Sequence, residues 1–178
     1  MRAFFLVAIP VLAGCGAPYK FMAHAEPNPF VRPGCRVVME PLRVDQLIVG
    51  EKPVAQYTGE KSASSADSFD NDLRAANELM HAQVIAENGS LFLPGAPDNT
   101  FVMRSMFTHW EPGGFFSGAA VADVMVDVLS PTGQTLDRIA IQRKGSDYSS
   151  GGRMRIAFRK VGDVINRYIA DNWMCAGH

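Results

Sequence analysis

Apolar residues recur along this chain at two different spacings, and the spacing changes where glycine or proline interrupts it. Between Ala119 and Leu129, the residues Ala120, Ala122, Val124, Val126 and Val128 take every second position, with Asp123 and Asp127 between them. That alternation predicts a half-buried strand. Thr100 to Trp110 alternates likewise, setting Phe101, Met103 and Phe107 against Val102, Arg104 and Thr108. Pro112-Gly113-Gly114 turns the chain between these runs, and Ser130-Pro131-Thr132-Gly133 turns it again. Thr135 to Gln142 returns as a hairpin partner through Leu136, Ile139 and Ile141. Two other stretches use spacings of three and four. Phe69, Leu73, Ala76, Met80 and Val84 predict a helix capped by Ser64 or Ser65 and running to about Glu87. Asn88-Gly89 is expected to stop it in a left-handed cap. Met154, Phe158, Val161, Ile165, Tyr168 and Ile169 predict a second helix, from about Arg153 to Trp173. Arg155, Arg159, Lys160 and Asp163 lie mostly off its apolar stripe.

The remaining segments are less regular. Arg36 to Val49 reads as one strand, with Val37, Met39, Leu42, Val44 and Leu47 as apolar teeth and Pro41 marking an edge or bend. Glu51 to Ser65 and Gly145 to Gly152 read as polar surface loops. Leu91 to Leu93 is a short apolar run ended by Pro94-Gly95-Ala96-Pro97. Gly16 to Gly34 carries Pro18, Pro27, Pro29 and Pro33 without any periodicity, which predicts an extended tether. In polyproline form it would reach about 60 Å. The order β, α, β, β, β, α predicts an α+β fold: a single mixed, mostly antiparallel sheet covered on one face by two helices.

Arg2 is followed by a charge-free stretch from Ala3 to Ala13, and Leu12-Ala13-Gly14-Cys15 closes it. Charge, apolar run and small residues in that order are the layout of a secretory signal. An apolar run of about a dozen residues falls short of the roughly 20 that a spanning helix needs. A chance cysteine after an ordinary signal is the other reading. The Leu-Ala-Gly-Cys ending resembles the lipobox of bacterial lipoproteins. This resemblance implies cleavage before Cys15 and acylation of Cys15, which would attach the protein to a bilayer through lipid. Gly16, where an aspartate would retain the protein at the inner membrane, implies the periplasmic face of the outer membrane, with the inner membrane as the other destination. Residues 1–14 are then the signal, 15–34 the lipidated tether and 35–178 the periplasmic domain.

Removing 14 of 178 residues leaves 164, enough for one domain that buries about 70% of its unfolded surface. Loss of Arg2 from 17 basic residues leaves 16 against 18 acidic ones, net −2. No Lys/Arg run exceeds two residues, so no nucleic-acid footprint is present. With Cys15 assigned to lipid, Cys35 and Cys175 remain, just before the first strand and just after the last helix. In an oxidising compartment they are expected to form a disulfide joining the domain's ends, with two free thiols as the alternative. That loop could stabilise the fold by up to about 5 kcal/mol.

The layout also resembles small bacterial envelope lipoproteins, including the curli-secretion lipoprotein family, whose module is similar to the amino-terminal domain of the TolB translocation protein. The resemblance covers about residues 35–173. It is carried by Val37-Val38-Met39-Glu40-Pro41-Leu42, by the helix leading to Asn88-Gly89, by Phe101-Val102-Met103, and by Gly113 to Ala120 leading into the strand that ends at Leu129-Ser130-Pro131-Thr132-Gly133. The chain has no room for the membrane-spanning hairpins of the curli pore, so pore formation is not implied.

Catalytic chemistry finds little purchase here. His24, His81, His109 and His178 show no metal-ligand spacing, and no cofactor motif is present. Ser117 lacks the Gly-x-Ser-x-Gly elbow. Asp123 and Asp127, about 13 Å apart on one strand face, are too distant for paired acid/base work and read as a solvated face. Gly145 to Gly152 lacks the Gly-Lys-Ser/Thr ending of a phosphate loop. The one segment suited to binding is Trp110 to Phe116, where Trp110, Phe115 and Phe116 crowd a glycine-rich connection. These aromatics either cover the end of the core or stand exposed as an anchor for a protein partner or lipid headgroup. The expected protein is non-enzymatic, an assembly or accessory subunit for another envelope component. The alternative is a periplasmic lipid or small-molecule binder in transport.

Overall fold

The computed structural model describes residues 18–26, 34–113 and 119–173. Among them, the elements follow in the order β1 (Lys20–Ala23), β2 (Arg36–Met39), β3 (Ile48–Val49), β4 (Lys52–Pro53), α1 (Val54–Gly59), α2 (Ala63–Glu87), β5 (Thr100–Glu111), β6 (Ala119–Leu129), β7 (Thr135–Ser146) and α3 (Ser150–Asn172). Strands β5, β6 and β7 form an antiparallel meander. β1 extends it antiparallel to β7, while β2 and β3 lie end to end along the far edge, parallel to β5. A parallel pair needs a crossover, which α1, α2 and a 3-10 turn at Gly89–Phe92 supply. The result is the expected mixed, mostly antiparallel sheet with its two long helices on one face.

The period-2 runs place one side chain in two against those helices. Phe101, Met103, Phe107 and Trp110 of β5, Ala120 to Val128 at alternate positions of β6, and Ile139 and Ile141 of β7 are all buried there. A shift of register between Phe107 and His109 returns Trp110 to the core face. Helix α3 brings Met154, Phe158, Val161, Ile165 and Tyr168 onto them, and Phe158 meets Phe107 edge-on with centroids 4.8 Å apart. α2 runs alongside α3, with Asp72 against Gly151, Gln83 on Asp163 and Asn88 on Asn166.

Several local expectations are corrected. Arg36 to Val49 is not one strand. Glu40 N donates to Met103 O at 2.9 Å and Arg43 N to Ser105 O at 2.9 Å, but Pro41 between them has no N–H. Arg43 still bridges Met106, and only beyond it does the segment leave β5 until Ile48 rejoins opposite His109. The loop expected at 51–65 contains β4 and α1, whose Val54 and Tyr57 pack on the core. The cap of α2 is Ser62, accepting from Ser65 N. Its end is not left-handed: Asn88 sits at φ −123°, and its side chain donates to Val84 O at 3.0 Å. β7 runs on to Ser146, and α3 begins at Ser150 with Ser149 accepting from Gly152 N at 2.9 Å. Gly145 permits this short connection, because a Cβ there would run into the Arg153 carbonyl.

The tether is corrected most. Of the residues expected to be a free extended linker, 18–26 are docked on the domain, and 20–23 are the sheet's edge strand.

Candidate functional site

Among the described residues the long helices lie on one side only, leaving the sheet's other face open. Val102, Arg104 and Met106 of β5, Val121, Asp123, Met125 and Asp127 of β6, and Arg138, Ala140 and Gln142 of β7 point there. This face is built from charge pairs around a methionine-lined centre. Arg138 grips Asp127 with both ends of its guanidinium, at 2.6 and 2.8 Å. Arg104 does the same to Glu40, at 2.6 and 3.1 Å, and holds its carboxyl below the usual range. Asp123 accepts from Gln142 Nε2 at 2.8 Å and lies 3.4 Å from His109 Nδ1, while His109 Nε2 donates to the Gly50 carbonyl at 3.1 Å. Between these pairs is a shallow recess of about 370 Å³, lined among others by Lys20, Thr108, Met125 and Ala140.

This face is less solvated than the sequence suggested. Asp127 is only 5% exposed, because Arg138 and the neighbouring strands cover it. Asp123 and Asp127 engage different partners, so the structure brings them into no shared site.

A second cluster joins the N-terminal segment to the covered face. Asp137 is fully buried. Its carboxylate accepts from Tyr168 Oη at 2.5 Å, from His24 Nδ1 at 3.0 Å and from Ala25 N at 3.0 Å. Burial first, and then this carboxylate, push the Tyr168 phenol far above its ordinary titration range. Tyr19 and Phe21 stack edge-on against Tyr168 and each other, with centroids 5.4 to 6.1 Å apart. Tyr19 Oη accepts from Asn172 Nδ2 at 3.1 Å, and Arg143 Nη2 donates to Pro18 O at 2.8 Å. The sequence reading did not single out Asp137. A signal was present: counting back by twos from Ile141 and Ile139 puts residue 137 on the core face.

The predicted site residues separate. Trp110 is fully buried, with Phe107 6.1 Å away, so it is part of the core and not an exposed anchor. The register shift after Phe107 turns it inward. Phe115 and Phe116 lie outside the described residues, as do Cys15 and Cys175. Gly113 has φ +70°, and a Cβ on it would collide with the Ala119 carbonyl, so the turn itself requires glycine. Cys35 is buried and disulfide-bonded. Among the described residues, no group of three potential ligands is placed to hold a metal, and no helix is long and apolar enough to cross a membrane.

No family model matches the chain, and no curated protein matches it. Among solved structures, the chain is similar to a PelC variant dodecamer from Paraburkholderia phytofirmans, at 14% identity and a TM-score of 0.44, covering 83% of this chain and 97% of that one. A second PelC dodecamer from the same organism is similar at 12% identity and a TM-score of 0.45, covering 83% and 96%.

Proposed function

We propose that this protein is a lipid-anchored, non-enzymatic component of a bacterial envelope, attached through Cys15, whose domain binds another envelope component as an assembly or accessory subunit. The open sheet face is the observation that carries the binding half of this reading. Its central strands are 11 and 12 residues long, so it extends roughly 35 Å. Val38 stands exposed on it, and Met106 and Met125 are half-buried. Adaptable methionines bordered by oriented polar pairs are the composition of a protein-binding patch. The anchoring half is supported by the Leu-Ala-Gly-Cys sequence.

A transport carrier would need an apolar cavity between the helices and the sheet. Phe107, Trp110, Phe158 and Tyr168, each less than 2% exposed, fill that space. The reading of Cys35 and Cys175 as partners belongs with this proposal. It is supported by Trp173, two residues before Cys175, which stacks on Phe101 5.3 Å away, the strand partner of Val37.

Two measurements test the proposal. Intact-mass analysis of the native protein is expected to find residues 1–14 removed and acyl chains on Cys15. Photo-crosslinking from position 125 in living cells is expected to yield one reproducible adduct that vanishes when Met106 is replaced by Glu. A bare Cys15 defeats the anchor, and the same adducts from position 125 as from an unrelated surface position defeat the binding face.

A further inference from the structure

The docked N-terminal strand determines which part of the domain an anchored Cys15 would hold against the bilayer. Resting on the proposed acylation, we infer that the corner formed by β1, the end of β7 and the first turns of α3 lies on the membrane, with Lys144, Arg155 and Lys160 on anionic lipid headgroups. The pairing of Lys20 with Ala140 is antiparallel, so the chain upstream of Lys20 heads toward Ser146 and the junction of β7 with α3. Pro18 is held there by Arg143. Only three residue steps separate Pro18 from Cys15, a reach of about 11 Å even when fully extended. The 60 Å stand-off expected of a free tether is therefore lost while β1 stays paired. Asp137, Tyr168 and Arg143 all act to keep it paired.

The chemistry of this corner suits a phospholipid surface. Lys20, Lys144, Arg155 and Lys160 are exposed, and Lys160 Nζ donates to the Lys144 carbonyl, which brings strand and helix cations together. Tyr148 is the most exposed large hydrophobic side chain among the described residues. A tyrosine at a bilayer surface places its ring at headgroup level. Two of the nearby acids are engaged by their own neighbours. Asp147 accepts from Ser149 N and Oγ, and Asp163 accepts from Gln83. Asp72 of α2 lies against Gly151 in the first turn of α3, so one carboxylate borders the cationic corner. Basic side chains beside an acyl anchor add an electrostatic attraction that salt and headgroup charge modulate.

The test uses the full acylated protein in vesicles of phosphatidylethanolamine and phosphatidylglycerol containing a headgroup-nitroxide lipid. A fluorophore is attached through Tyr148→Cys, or through Asp98→Cys at the opposite end of the sheet. Strong quenching at 148 and almost none at 98 is the expected result. Replacing phosphatidylglycerol by phosphatidylcholine, or introducing Lys144→Glu with Lys160→Glu, is expected to remove most of the difference. Equal quenching at both positions on a protein shown by mass to be acylated would overturn this orientation while leaving the anchor intact. A difference that survives both neutral lipid and charge reversal would overturn the headgroup contact. Absence of acyl chains would instead defeat the proposed function itself.

Discussion

On the helix-covered face of the sheet, Phe101, Met103, Phe107 and Trp110 share one core with Phe158 and Ile165, whereas on the open face the sheet presents Arg104, Asp127 and Arg138. The two faces are held by different forces. The covered face holds by volume: aromatic and branched side chains interlock, and their contribution scales with the apolar area removed from water. The open face holds by pairing, in which Asp127 and Glu40 are matched to arginines, Asp123 to Gln142 and His109, and methionines fill the gaps. Pairing of this kind is weaker, responds to salt and pH, and leaves surface that a partner could use. Asp137 breaks the contrast, since it is a carboxylate on the covered face, satisfied by Tyr168 of α3 together with His24 and Ala25 of the N-terminal segment.

The contrast can be broken most forcefully in the core. Phe158→Ala removes a ring with no exposure that is packed on Phe107. It is expected to cost about 3–5 kcal/mol, read as a lowered urea midpoint. Asp137→Asn should cost about 2–3 kcal/mol, because buried donors lose a charged acceptor. Hydrogen exchange should rise selectively at 20–25, since these residues depend on that acceptor. Unchanged protection there would mean that β1 is held by its aromatic contacts alone. On the open face, Arg138→Ala leaves Asp127 without its bidentate partner and is expected to cost about 1–2 kcal/mol in the same urea assay. A loss as large as that of Phe158→Ala would abolish the distinction between the faces.

The smallest effect concerns His81 on α2, half-buried, whose burial holds its titration below the ordinary histidine value. As pH falls below about 6.5, the unfolded chain takes up this proton before the folded one does, so stability declines with acid. His81→Leu should flatten that part of the stability profile. A profile identical to that of the parent protein would show that the site does not contribute.

Legibility in the sequence followed regularity. β5, β6 and the two long helices carry uninterrupted periods of two or three to four, so their positions and buried stripes could be read directly, Ala120 to Val128 and Met154 to Ile169 among them. The edge elements could not. β1 has four residues and β3 two, too few for any period to declare itself, and they exist because β7 and β5 offer unpaired backbone. Trp110 shows the same limit at a single position. Its aromatic neighbours suggested an anchor, but one register shift turned it inward. The open face was visible only as alternating charges, since which carboxylate meets which arginine depends on strands far apart in sequence.

By itself the chain specified the Leu-Ala-Gly-Cys sequence, the fold class and the stripes that form the core, because these rest on local chemistry and on the repeat of the backbone. Only the tertiary structure decided that residues 20–23 belong to the sheet, that Asp137 is a buried acceptor, and that one face stays uncovered among the described residues. Those outcomes depend on non-local pairing, where an edge strand or a buried charge is stable only once its partners have been brought to it.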